Sequence, residues 1–572
     1  MKLEWTETGK IKHCVFNEEA VSFRQDDYGG PAWQCRLGEE LRTSTAPRYR
    51  EGWFKEAFFG VELRYRFQTE GDSLIIEAEA ENQSSQTMPL DQLGLRIGLD
   101  CAMESYPQWD TVFAPTLLRC EKTYFWGFLS SPLGRRLGIY SPDPIASWHL
   151  DYNRFFADGG HRIMTFCLDF LQSGKLPDRH PQSQPLKPWE TRRWRIEIAE
   201  LAPEQTVPSW LAEKGVPVFA GERWSAECGS ALEFKLLSRT EPTLMAEGRP
   251  VPCLLKKPGV YTVRLESDQP RELRLTVSNG KHQSEAWVQF IHPWRTIIEE
   301  AARQSLSQPQ KMGTHCESWY GLFTGAAAIL HDLDFDRAAY LEKVRELVPL
   351  GFDVEQGCPT VHPGRIQNTA CMIGLMADLG AALHSTEPLE LGAKLADWLI
   401  EHSQREDGAF CNGKGKHYTS VIYIAKSLLE LVLEERRQPE ASWQARAQRH
   451  FETAKRAVDE LALHRDNIET EGQATLEDGM LTCSVAQLTM LAKMLEPEDR
   501  RPYIEAAECL VRKHRCLERT VVADSRCSGT TLRFWEAQYD VLTMGNMINS
   551  PHGWSAWKVY GMMDLYLLSG RR

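Results

Sequence analysis

Two groups of side chains in the C-terminal half of this 572-residue sequence have the types and spacing for proton-transfer chemistry. The first is acidic. Glu317 sits in His315-Cys316-Glu317-Ser318-Trp319-Tyr320-Gly321, and Glu477 and Asp478 sit in Thr475-Leu476-Glu477-Asp478-Gly479. A carboxylic acid that protonates a leaving oxygen, with a second carboxylate that activates water or attacks directly, suits a hydrolytic displacement. Glu317 and Asp478 are the preferred pair, because each stands at the start of an expected helix. The second group combines Arg365, Gln367 and Asn368 of the stretch 361–368 with His417 and Tyr418 of the stretch 413–420. Arg, Gln and Asn can neutralise a substrate carboxylate while His and Tyr take and return a proton. Histidine titrates near neutrality, and tyrosine can act once a nearby cation lowers its pKa.

Further candidates for ligand contact lie in or beside the same loops: His315, Tyr320, His362, Asp407, Trp535, Tyr539, His552 and Trp554. Each has a plainer reading. Asp478 suits a helix N-cap, Asp407-Gly408 suits a turn, and Trp554 and Trp557 suit a helix core. Position favours the functional reading. Five loops, at about 315–321, 361–368, 413–420, 475–479 and 549–554, each precede a small-residue-rich apolar helix. Four of them carry histidine, in a chain with 16 in all.

Those helices define the second half of the chain. After Pro293 the apolar period becomes 3.6, which predicts helices at about 294–306, 316–331, 336–348, 365–384, 388–403, 418–435, 441–463, 478–495, 499–516 and 553–569. Stretches such as 338–348, 441–463 and 502–515 are charged and amphipathic, and suit an outer layer. Stretches such as 321–330, 369–383, 421–433 and 481–495 are apolar over most of their circumference, and suit an inner layer. Alternation of the two kinds is the pattern of an (α/α) toroid, with five inner helices and a sixth expected near 525–545. Its rim would gather the five loops at one end.

The first half alternates with period two. Val61 to Phe67, Leu74 to Ala80 and Trp194 to Ile198 read as strands, separated by Gly, Asn, Asp and Ser clusters. The expected architecture is therefore an antiparallel β-sandwich over 1–205, a small immunoglobulin-like β-sandwich over 206–292, and an (α/α)5-6 toroid over 293–572 that carries the chemistry.

Composition narrows the partners. Against 66 Lys and Arg stand 79 Asp and Glu, and no basic patch is concentrated enough to hold nucleic acid. No uninterrupted apolar run reaches the length of a bilayer span. The 15 cysteines show no paired spacing, which suits reduced thiols and a cytoplasmic location. HExxH, Walker A and a strand-borne GxGxxG are absent, so neither a metal nor a cofactor is expected. A homo-oligomer is compatible with this sequence. Eighteen Trp and 16 Tyr provide flat rings of the kind that sugar-binding clefts use.

The Glu406-Asp407-Gly408-Ala409-Phe410 segment and the closing Pro551-His552-Gly553-Trp554-Ser555-Ala556-Trp557 segment resemble the six-hairpin glycosidase-like superfamily, which includes (α/α) toroid polysaccharide lyases. The resemblance covers roughly 290–572. It implies cleavage of glycosidic bonds in an oligosaccharide, with uronate-containing chains as the expected substrate. Acid/base hydrolysis is the leading expectation and would use Glu317 and Asp478, with β-elimination on a uronate as the alternative. β-Elimination would use Arg365, Gln367 and Asn368 on the carboxylate, with His417 and Tyr418 as base and acid. A carbohydrate-binding protein without catalysis is the third reading.

Overall fold

The computed structural model describes residues 1–21, 23, 31–44, 47–100, 113–153, 163–172, 182, 184–308, 316–421, 424–466, 468–470, 473–474, 478–531 and 555–570. Contacts divide the chain into two compact units, Met1–Ile291 with Lys513–His552, and His292–Arg512 with Gly553–Arg572.

Alternation builds the first unit. In Val61–Glu70 the residues Val61, Leu63, Tyr65 and Phe67 are buried and their neighbours carry charges or an amide. This strand belongs to an eight-stranded sheet in the order Ala114–Cys120, Phe125–Ser130, Arg136–Ser141, Thr191–Glu200, Ser73–Asn82, Val61–Glu70, Trp53–Phe58 and Arg48–Arg50. A five-stranded sheet runs Ser147–Asn153, Ile163–Leu171, Gln92–Asp100, Ala32–Leu37 and Glu40–Thr43. The two sheets meet through aromatic rings. Phe170 of the second stacks on Trp194 of the first, with centroids 4.5 Å apart and planes within 9°. The basic run around Trp194 thus turns its indole inward, while Arg193 and Arg195 pair with Glu79 and Glu70 outside.

Helix α1 (Val207–Glu213) leads into a second pair of sheets, capped by the Thr206 hydroxyl on Ser209 N. Their core includes Trp224, Phe234, Val263, Leu275 and Phe290. Every described pairing here is antiparallel except Ser225–Glu227 with Gln283–Ile291, which is parallel. The segment after residue 513 is joined to these strands: Trp287 N donates to Ala523 O at 3.0 Å and Ser525 N to Trp287 O at 2.9 Å. Arg119 lies buried where these parts meet, near Glu121 and Asp524, and donates to the Glu285 carbonyl at 3.1 Å.

The second unit follows the expected alternation. Its helices are α2 (Trp294–Ser307), α3 (Tyr320–Leu330), α4 (Arg337–Leu347), α5 (Ile366–Leu383), α6 (Thr386–Ser403), α7 (Ile424–Glu435), α8 (Ala441–Leu463), α9 (Asp478–Met494), α10 (Arg501–His514) and α11 (Ser555–Ser569). The inner helices pack in succession, α3 on α5, α5 on α7, α7 on α9 and α9 on α11. Between α5 and α7 stands α6, which packs on both, and α8 packs on α7 and α9. Small residues let the layers approach. A Cβ on Gly325 would overlap the Tyr340 ring, and one on Gly380 would stand 2.7 Å from Leu389. By length and composition α5 is apolar enough to cross a bilayer, but 83% of it is buried in the helical unit, as a core helix requires. Residues 525–529, within the stretch expected to hold a sixth inner helix, form a turn, and 532–545 lie outside the described residues.

One buried imidazole clamps the layers. His450 of α8 is fully buried. Its Nδ1 lies 2.9 Å from Glu435 of inner helix α7 and its Nε2 3.0 Å from Asp397 of α6. Burial alone would lower the His450 pKa, but the bonds to Asp397 and Glu435 outweigh it and raise it. Burial opposes ionisation of Asp397, yet His450 and Arg446 hold its pKa down to about 2. The imidazolium is thus the folded form, with its pKa raised above the unfolded value. Its contribution is complete below the ordinary histidine range and is lost as pH rises through the raised pKa. Replacing His450 by Gln leaves Glu435 buried without its cation, and is expected to cost about 3–5 kcal/mol. Urea denaturation at pH 6 should show that loss, and it should narrow at alkaline pH. An equal loss at both pH values would contradict the charged clamp.

Candidate functional site

The second and third rim loops meet through bare backbone. Gly413 N donates to Gly364 O at 2.9 Å, and a Cβ on Gly413 would stand 2.7 Å from the Gly364 Cα. No side chain fits between them. Loop three is part of a three-stranded meander. Arg405 N donates to Ala409 O, Cys411 bridges His417, and Tyr418 N donates to Phe410 O at 2.8 Å. Asn412 closes the turn at the Gly413 end by accepting from Lys414 N and Lys416 N. This pairing holds 418–421 out of helix, so α7 begins at Ile424 and not at 418.

Arg365 is the N-cap residue of α5, and its N–H donates to His362 O at 2.8 Å. His362 itself adopts a left-handed backbone, with φ of 48°. Gln367 and Asn368 follow in the first turn of α5, both buried. The Gln367 Oε1 has no hydrogen-bond partner among the described residues. An amide oxygen left so costs about 1–3 kcal/mol, which a ligand hydroxyl would recover. His417 places Nδ1 3.8 Å from Glu460 of α8 and keeps about a quarter of its side chain exposed, whereas Tyr418 is buried. The Gly364–Gly413 contact therefore brings the Arg365-Gln367-Asn368 loop and the His417-Tyr418 loop to one place.

The remaining candidates fall elsewhere. Asp407 lies in the turn at the opposite end of the meander, where its Oδ1 accepts from Ala409 N at 3.0 Å. The adjoining Gly408, at φ 95°, packs on Arg456 of α8. Tyr320 opens α3 and is exposed. Glu317 belongs to the 3-10 turn Cys316–Trp319 and Asp478 opens α9, so both backbones stand at inner-helix starts; their side chains lie outside the described part of the structure. His315, Trp535, Tyr539, His552 and Trp554 lie outside the described residues.

A polar stripe that sequence reasoning passed over runs down the inner helices. Gln367, Gly374 and Asp378 fall within about 20° of one face of α5, at 100° per residue. Glu430 of α7 lies over Gly374, where an added Cβ would meet its Oε2 at 3.3 Å. Lys426, one turn earlier, pairs with Glu430 and points its ammonium at the Trp557 ring of α11, 5.4 Å from the centroid. Burial raises the Asp378 carboxyl, and nearby Glu430 raises it further, to about 7. Burial works against the Lys426 charge, but Glu430 and Asp378 raise its pKa on balance. A signal was available: Asp378 is the only charged residue of α5, and Lys426 with Glu430 is an i,i+4 pair among the apolar residues of the first two turns of α7.

The arrangement can be set beside known proteins. No family model matches the sequence, and no curated protein matches it. A solved polysaccharide lyase shares the fold at 13% identity, over 99% of this chain and 89% of its own, with a TM-score of 0.76. A family 76 glycoside hydrolase from a bovine Bacteroides thetaiotaomicron strain matches 62% of this chain and 87% of its own at 10% identity, with a TM-score of 0.33. An unsaturated glucuronyl hydrolase from Bacillus sp. GL1 matches 50% and 88% at 13% identity, with a TM-score of 0.29. The last two are too distant in shape to carry an argument. The first shows that β-sandwich sheets followed by an (α/α) toroid, as expected from the sequence, is the fold of this chain.

The loop junction yields a direct test. Gly413→Ala forces the two backbones apart and removes the Gly413 amide bond. Hydrogen exchange should accelerate about tenfold or more across 361–368 and 412–417, while α8 keeps its protection. Unchanged exchange in both loops would show that they are held by other contacts.

Proposed function

We propose that this chain is a carbohydrate-active enzyme that cleaves glycosidic bonds in uronate-containing oligosaccharides by β-elimination. The observation that carries the reading is the Gly364–Gly413 junction, which joins a carboxylate-gripping loop to a histidine and a tyrosine. The fold shared with a polysaccharide lyase along almost the whole chain supports it. Arg365, with Gln367 and Asn368, would neutralise the uronate carboxylate and so acidify the C5 proton. His417 would take that proton. Tyr418 would protonate the departing C4 oxygen, leaving a C4–C5 double bond on one fragment and a hydroxyl on the other. The free thiols of the described cysteines support a cytoplasmic setting for such trimming of short chains.

Hydrolysis through Glu317 and Asp478 is the competing chemistry, favoured by the place of both backbones at inner-helix starts. It consumes water and forms no double bond. A panel of uronate-containing oligosaccharides, followed by ultraviolet absorbance and by release of reducing ends, separates the two. The expected result is new absorbance, with kcat/KM falling about 100-fold or more in Arg365→Ala and in His417→Ala. Reducing ends without absorbance would transfer the chemistry to the carboxylate pair. Silence across the panel would leave a binding protein.

A further inference from the structure

Away from the helices, the first unit holds one aromatic residue in a conformation its type does not favour. Lys187-Pro188-Trp189-Glu190 is a β-turn closed by Glu190 N, which donates to Lys187 O at 3.1 Å. Proline suits the second position of such a turn. Trp189 stands third with φ of 59°, a left-handed place that these turns give to Gly or Asn. The side chain gains no burial in exchange, for Trp189 is 65% exposed. Phe59 has a similar backbone, but the Arg42 guanidinium covers its ring. An exposed indole alone needs no explanation. One held out on a strained backbone does, because such strain persists only where the surroundings enforce it.

Here they do. Glu190 accepts from Lys187 N at 2.7 Å and from Arg192 Nε at 2.8 Å. The buried Asn82 donates from Nδ2 to Lys187 O at 2.9 Å and to Gln86 O at 2.8 Å, and its N–H donates to Glu190 O at 3.0 Å. One residue thus ties the turn to the loop 83–87. Met88 pairs antiparallel with Leu186, and the same register continued sets Gln86 opposite Pro188. Ser85, Gln86 and Thr87 are exposed and uncharged.

A flat ring and a row of hydroxyl and amide groups are therefore held together on rigid backbone at the surface. An indole face accepts the C–H face of a pyranose, while neutral polar groups exchange hydrogen bonds with the sugar hydroxyls. Stacking on an open ring needs no enclosed cavity. One indole with polar neighbours offers far less area than the roughly 800 Å² per partner of a standard protein interface.

We propose that Trp189, with Gln86 and Thr87, forms a carbohydrate-binding surface on the β-sandwich that takes a pyranose of a polysaccharide chain by stacking. Carbohydrate as the ligand class rests on the proposed function. The surface itself binds without cleaving, and its residues lie outside those assigned to the elimination.

The experiment is affinity electrophoresis of the full chain in gels containing polygalacturonate, alginate, hyaluronan or xylan. It is run in the wild type and in Arg365→Ala, which removes the grip of the loop junction. At least one polymer should retard both. Adding Trp189→Gly should raise the dissociation constant about tenfold or more, and Trp189→Phe, which keeps a flat ring, should raise it less. Trp189→Gly should also melt no lower than the wild type, since glycine relieves the turn, and should cleave short oligosaccharides at the wild-type rate. Retardation by no polymer, equal retardation with and without Trp189, or a lower melting temperature in Trp189→Gly would overturn the proposal. Retardation that depends on Trp189 in a chain that cleaves nothing would keep the surface and sink the catalytic reading instead.

Discussion

The geometry of the helical unit depends on a buried amide. Gln487 of α9 is almost wholly enclosed; its Oε1 accepts from Ala425 N at 2.8 Å and Lys426 N at 3.3 Å, and its Nε2 donates to Thr419 O at 2.9 Å. The first turn of any helix leaves N–H groups without partners. At the start of α7 those groups are packed among other helices, out of reach of water, so a neighbour must answer them. By doing so, Gln487 sets where α7 begins and leaves the residues before it free to pair elsewhere. Tyr418 then bonds to Phe410, the meander closes, and Gly413 comes to rest against Gly364. The same register sets Ser427 and Glu430 against Gly374 of α5.

Polar groups inside this unit fall into two kinds. Some are fully answered, as His450 is by two carboxylates, and these join layers. The Gln367 Oε1 in the first turn of α5 is left short, with no partner among the described residues. Native interiors satisfy most buried polar atoms, so an unanswered one beside the loop junction is a place where a ligand could supply the missing partner. In the proposed reading, the loops at the helix starts bring together groups suited to moving protons. The helices below these loops are packed too closely to slide, as Gly325 under Tyr340 and Gly380 under Leu389 illustrate.

Much of this architecture was legible in the amino-acid order, because period and end signals are local. The strand periods of Val61–Glu70 and Ser73–Asn82 read directly, and α8 falls at the residues its amphipathic pattern marks. The exception at α7 is instructive. Residues 418–421 have a helical pattern, but the pairing of Tyr418 with Phe410 and the bond from Gln487, more than 60 residues later, to the Thr419 carbonyl hold them out of helix. Local preference is worth tenths of a kcal/mol per residue and yields to such contacts.

The same division holds for the site. The sequence by itself marked the loops before inner helices, since glycine, histidine and arginine cluster there against an apolar background. It offered the turn at Asp407-Gly408 as the plainer reading, but did not reveal that Asn412 shapes the Lys-Gly-Lys stretch or that Glu430 and Ser427 lie against Gly374. Those outcomes depend on how α5, α7 and α9 are rotated and shifted against each other. That register is set by glycine gaps and buried amides between residues far apart in the chain, and so only the tertiary structure decides it.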